Sequence, residues 1–190
     1  MDLRRTVRFH VIFVFILLLT ACGQKSTSTI YQTVSDATLK PGDAIPAPTG
    51  NVVLKIDGKI SQTNSGTALQ FDMKTLESIG VVQYKVDDPF AKKNILYAGV
   101  LLSQLLKVAG VAPDATILTL RALDDYSTDM KISDVNKWPI LIATRADHEY
   151  MPVDKNGPLI SVFPFNDFPE IDHVTYDAQW LWALAGITVK

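Results

Sequence analysis

From Asn51 to Lys190 the chain alternates short apolar runs with turn-forming residues, and the period of each run indicates what it becomes. Val52-Val53-Leu54-Lys55-Ile56 has strand character. Asp57-Gly58 behind it tolerates the positive φ of a type I′ turn, so the pattern predicts a hairpin returning through Lys59-Ile60-Ser61. Leu69-Gln70-Phe71 leads into Asp72, an N-cap for a short helix over 73–79 that Gly80 ends. Residues 81–86 read as a strand. Val100, Leu101, Leu105 and Val108 recur at helical spacing, which predicts a helix over 99–109 closed by Gly110. Strands follow over 116–122, 140–144, 159–163 and 187–189, with one helical turn over 133–137 and an aromatic segment over 180–184. Strands dominate and helices cover them, so the fold class is α+β, built on mixed sheets.

The first fifty residues follow another pattern. Arg4, Arg5 and Arg8 precede an apolar run over 11–19 that is too short to span a bilayer, and the run closes on Leu19-Thr20-Ala21-Cys22. This is the pattern of a bacterial lipoprotein signal: residues 1–21 are removed and Cys22 carries the lipid. Gly23-Gln24 places no aspartate after the cysteine, which favours the periplasmic face of the outer membrane. Residues 22–50 are rich in Ser, Thr, Pro and Gly and read as a tether, with a coil reach on the order of 30 Å. Residues 51–190 make one domain. Cys22 is the only cysteine, so once lipidated no thiol remains to act as nucleophile, disulfide half or metal ligand.

Without residues 1–21 the chain keeps 15 basic residues against 19 acidic ones, and only Lys92-Lys93 forms a basic pair. A nucleic-acid partner is discounted, since phosphate neutralisation needs a basic stripe. Two arginines remain, Arg121 and Arg145, which argues against a heavily phosphorylated ligand. His148 and His173 lack ligand-like spacing, and no metal is implied. No nucleophile-elbow motif is present either.

Five motifs in order carry a family resemblance: Tyr97-Ala98-Gly99-Val100-Leu101-Leu102, Asp124-Asp125-Tyr126-Ser127, Ile140-Leu141-Ile142-Ala143, Gly157-Pro158-Leu159-Ile160-Ser161-Val162-Phe163-Pro164, and Trp180-Leu181-Trp182. Together they resemble the oxidoreductase molybdopterin-binding domain, the sulfite-oxidase-like fold, over almost all of 51–190. Enzymes of that family hold molybdenum through a cysteine thiolate in a region corresponding to 82–91, where this chain has none. The family's phosphate-binding arginine is Ile160 here. The resemblance is to a cysteine-lacking periplasmic branch whose members bind pterins and signal to membrane enzymes that make or degrade cyclic di-GMP.

That resemblance implies a non-enzymatic, lipid-anchored sensor with a pterin as bound ligand, no metal or covalent cofactor, and the periplasmic domain of a membrane signalling protein as partner. The alternative is a degenerate scaffold that binds protein partners without a small ligand. A pterin needs an aromatic face and carboxylates for its amino and ring N–H groups. Tyr126 and Trp138 are candidates for the face, and Asp124, Asp125 and Asp129 for the acceptors. Asp124-Asp125 equally suits a turn, and the two aromatics equally suit rim or core. Arg121 pairs with an aspartate such as Asp129 or touches the ligand, and Arg145 has the same choice with Asp147. Trp180 and Trp182, two apart on an expected strand, favour packing and are held as secondary candidates.

Overall fold

The computed structural model describes residues 30–190. Cys22 and the signal segment lie outside the described residues. Among the described residues eleven strands form two sheets. In the first, β1 (Gln32–Ser35), β4 (Val81–Asp88), β5 (Lys93–Leu101), β8 (Leu141–Ala146) and β10 (Ile160–Val162) lie in that order, with β9 (Glu149–Tyr150) also paired to β8. The second runs β3 (Leu69–Asp72), β2 (Val52–Gly58), β11 (Leu184–Val189), β6 (Ile117–Ala122) and β7 (Ser127–Lys131). The β11–β2 pair is parallel and the others are antiparallel. Helices α1 (Met73–Glu77), α2 (Leu102–Ala109), α3 (Ile132–Lys137) and α4 (His173–Tyr176) are short. One apolar core draws on both sheets, with Leu54, Phe71, Leu102, Leu118, Leu141 and Phe163 fully buried. The α+β expectation therefore holds.

Several local expectations hold for the reasons stated. Asp72 caps α1 by accepting from the Thr75 amide, and Gly110 ends α2 in the left-handed region at φ 65°. Others need correction. No hairpin returns through Lys59: β2 pairs with β3 and, in parallel, with β11, while the Ser61 and Gln62 amides donate to the Gly110 and Ala109 carbonyls instead. The helix expected from Gly99 begins at Leu102, because Gly99, Val100 and Leu101 complete β5. Trp180 and Trp182 do not share a strand. They lie in the turn after a 3₁₀ segment (Asp177–Gln179), ahead of β11.

The tether reading also needs correction for its described part. Gln32–Ser35 adds an edge strand to β4, Leu39 is buried, and the Thr38 and Leu39 amides donate to the Ser78 carbonyl. Farther on, Asp72 takes the Thr49 and Gly50 amides. Pro and Gly do mark turns here, but the turns fold back onto the domain.

Candidate functional site

One loop cluster stands at the junction of the two sheets. The segment Trp180 to Ala183 is held from several sides: the Ser161 hydroxyl of β10 donates to the Gln179 carbonyl and accepts from the Leu181 amide, and the Ser161 amide donates to the Leu181 carbonyl. The Ala183 amide donates to the Asn156 carbonyl, and the Ala183 carbonyl accepts from Leu123. Three distant loops are thereby drawn together. They enclose a cleft of about 440 Å³ lined by Phe90, Asp124, Tyr126, Asn156, Asp177, Trp180 and Trp182, with Ala122, Ala178, Leu181 and Ala183 between them.

The aromatic groups of the cleft differ in freedom. Trp180 is buried, parallel to Phe165 at 5.7 Å and edge-on to Tyr97 at 5.8 Å. Its Nε1–H has no acceptor among the described residues, and neither does the adjacent Gln179 Oε1 have a donor. Phe90 and Trp182 meet edge to face at 4.5 Å, and Phe90 and Tyr126 are about half exposed. Asp124 Oδ1 accepts from the Tyr126 amide at 3.1 Å, and Asp177 Oδ1 meets His173 Nδ1 at 2.9 Å. His173 in turn stacks on Phe165 at 4.1 Å.

Phe90, Asn156 and Trp182 also line a second hollow of about 380 Å³, together with Asp88, Tyr97, Lys155 and Ile160. Asp88 is buried and fully engaged: Tyr97 Oη donates to it at 2.6 Å, and the Phe90 and Ala91 amides at 2.8 and 2.7 Å. Burial, with the Asp88 carboxylate alongside, holds the Tyr97 phenol protonated far above the usual tyrosine range.

Of the residues expected at a site, Asp124, Tyr126, Trp180 and Trp182 meet in the cleft and the others do not line it. Asp125 is an exposed turn residue at φ 68°. Trp138 is buried in the core, its Nε1 donating to Glu170, with Tyr176 edge-on at 5.2 Å. Asp129 sits on edge strand β7 and accepts from Thr119, while Arg121 points across Gly186 on the exposed side of β6. Arg145 belongs to another network: it donates to Glu77 at 2.6 Å and to Tyr150 at 2.7 Å, and Glu77 also takes the Tyr150 and Thr144 hydroxyls. Phe90, Asn156 and Asp177 went unnoticed in the sequence. Asp177 stood three residues ahead of Trp180, and Phe90 lay in the loop where the family's thiolate is expected.

The profile of the oxidoreductase molybdopterin binding domain matches residues 54–166. The chain belongs to that family. The profile ends before Asp177 and the Trp180 turn, so half of the cleft lies beyond it. The molybdopterin-domain fold recurs in the crystal structure of the sulfane dehydrogenase SoxCD from Paracoccus pantotrophus, at TM-score 0.55 and 17% identity over 77% of this chain. The chain spans 40% of that protein's length. No curated protein matches the sequence at a significant level.

The donor set of this molybdopterin-family domain does not fit a thiolate-held molybdenum. No sulfur stands between Asp87 and Asn94, and the carboxylate in that loop, Asp88, spends both oxygens on Tyr97 and two amides. Nor does the site fit the cofactor's phosphate well. The aliphatic Ile160 lines the hollow where the resemblance puts an arginine, leaving Lys155 as the cation there. No three His, Cys, Asp or Glu side chains converge as metal ligands among the described residues.

Proposed function

We propose that the protein is a non-catalytic, lipid-anchored periplasmic sensor that binds a pterin-like heterocycle and modulates the periplasmic domain of a membrane signalling protein, a cyclic di-GMP cyclase or phosphodiesterase being the class the resemblance suggests. The observation that carries it is the cleft itself. A molybdopterin-family domain without the thiolate keeps an aromatic and carboxylate-lined hollow, with Phe90 in the loop where the thiolate would stand. Trp182 and Tyr126 offer ring faces, and Asp124 and Asp177 each keep one carboxylate oxygen for a heterocycle's amino and ring N–H groups.

Titrating a tetrahydropterin and an oxidised pterin into the purified protein should quench tryptophan fluorescence. At 100-fold the dissociation constant it should also stabilise the fold by about 2.7 kcal/mol. Tyr126→Ala and Trp182→Ala should each weaken binding about tenfold or more; the melting temperature of the free protein should change little for Tyr126, which is half exposed, and fall for Trp182, which packs on Phe90 and the core. Fluorescence and melting that ignore both pterins would replace this reading with the ligand-free scaffold, which the exposed Leu123 and Tyr126 at the cleft mouth would suit. Localisation is tested apart from binding. Cys22→Ser should release the protein from the membrane fraction and abolish palmitate labelling while the pterin affinity stays the same; labelling that persists would rule out Cys22 as the acyl acceptor.

A further inference from the structure

Charge in the cleft is one-sided. Among the described residues Asp124 and Asp177 line it and no lysine, arginine or histidine does; Lys92, Lys93 and His173 line the hollow that shares Asp177, and Lys155 the one that shares Phe90, Asn156 and Trp182. Phe90, Tyr126 and Trp182 present partly exposed rings to the same space. Ring faces carry negative quadrupole potential, so three rings beside two carboxylates attract an organic cation, and the cost of stripping water from it falls as the rings replace that water. The same arrangement disfavours an anion, which would meet two carboxylates, with His173 already engaged by Asp177 and Lys155 lining the neighbouring hollow. Trp180 closes the floor of the cleft, 2% exposed, with its Nε1–H buried away from the open space and without an acceptor among the described residues.

We infer that the cleft selects a planar heteroaromatic cation, held by Phe90, Tyr126 and Trp182 and by the Asp124 and Asp177 carboxylates. This rests on the reading of the cleft as a ligand site, and not on that ligand being a pterin. His173 fixes one Asp177 oxygen and the Tyr126 amide fixes one from Asp124, so both carboxylates are oriented before the ligand arrives. Three probes of matched shape test it by calorimetry on the purified protein: 1-methylnicotinamide, nicotinamide and nicotinate, with charges of plus one, zero and minus one. The cation should bind about tenfold tighter than the neutral amide, and nicotinate weakest. Added salt should narrow the gap between cation and neutral probe. Asp124→Asn and Asp177→Asn should each reduce that gap several-fold while the neutral probe binds as before. Equal affinities, a preference for nicotinate, or no binding of 1-methylnicotinamide at millimolar concentration would overturn the inference. Pterins that bind with no regard to charge would remove it and leave the proposed function standing; cation selectivity with pterins inert would do the reverse.

Discussion

Gly99→Ala should destabilise the domain by about 3 kcal/mol and lower its melting temperature by about 10 °C. A Cβ at position 99 would stand 2.1 Å from the Ile142 carbonyl oxygen and 2.6 Å from the Ala143 Cα. Both atoms are backbone of the neighbouring strand β8, so neither can rotate aside. The register also shifts between Ala98 and Gly99 where β5 meets β8, which brings the two chains close at that point. Gly50→Ala is the control, because its Cβ would meet Asp72 at an ordinary 3.6 Å, and a change within about 0.5 kcal/mol is expected. Thermal melts of the two variants side by side decide the matter. An unchanged melting temperature for Gly99→Ala would mean that β5 and β8 do not approach as described.

Asp72→Ala should cost about 3 kcal/mol at neutral pH. The Asp72 carboxylate is buried and accepts from the amides of Thr75, Thr49 and Gly50 at 2.8 to 3.0 Å, so alanine removes a helix cap and leaves two further amides to find water. The Thr75 amide first, and then that of Gly50, hold the carboxyl far below its ordinary value of 3.8. In the unfolded chain the group takes up its proton near that ordinary value, while the folded chain resists protonation. The stabilisation is therefore complete above about pH 4 and is lost as the pH falls from there toward the folded value. Denaturant titrations at pH 7 and pH 3 should show the wild type losing more stability in acid than Asp72→Asn, which has no charge to neutralise. Identical losses in the two proteins would exclude Asp72 as a source of the acid sensitivity.

What the sequence disclosed was local. Asp72 and Gly110 act through amides and dihedral angles within a few residues of themselves, and the Asp124 to Tyr126 turn is likewise a short-range device. The helix start was misplaced because Val100 and Leu101 share the helical spacing of Leu105 and Val108 while belonging to a strand buried on both faces, where apolar residues run consecutively. The hairpin at Asp57-Gly58 failed because the antiparallel partner of β2 is β3, beyond the reach of a tight turn, and its other neighbour is β11, some 130 positions away, which leaves no trace near the turn. Trp138 and Tyr126 looked equivalent as candidates. Only tertiary packing separates them, with one ring in the core and the other at the mouth of the cleft. Phe90, Asn156 and Asp177 come from three loops: the Ala183 and Ser161 hydrogen bonds join those of Asn156 and Asp177, and Phe90 meets them through Trp182, a convergence that no spacing rule encodes.

The docked strand β1 changes how the molecule would hang. If Cys22 holds the lipid, residues 23–31 alone lie between it and β1, and nine residues reach at most about 30 Å even when fully drawn out. β1 is antiparallel to β4, with Gln32 opposite Gln83 and Ser35 opposite Val81, so the leash leaves from the end of β1 that points along β4 toward Asp88. That is the end from which the loop carrying Phe90 continues into the cleft wall. A lipid-held domain would be suspended from the edge of its own sheet, with its cleft end nearest the bilayer. Any pull on the leash would arrive as load on the β1–β4 ladder, and β4 runs directly into the loop that carries Phe90.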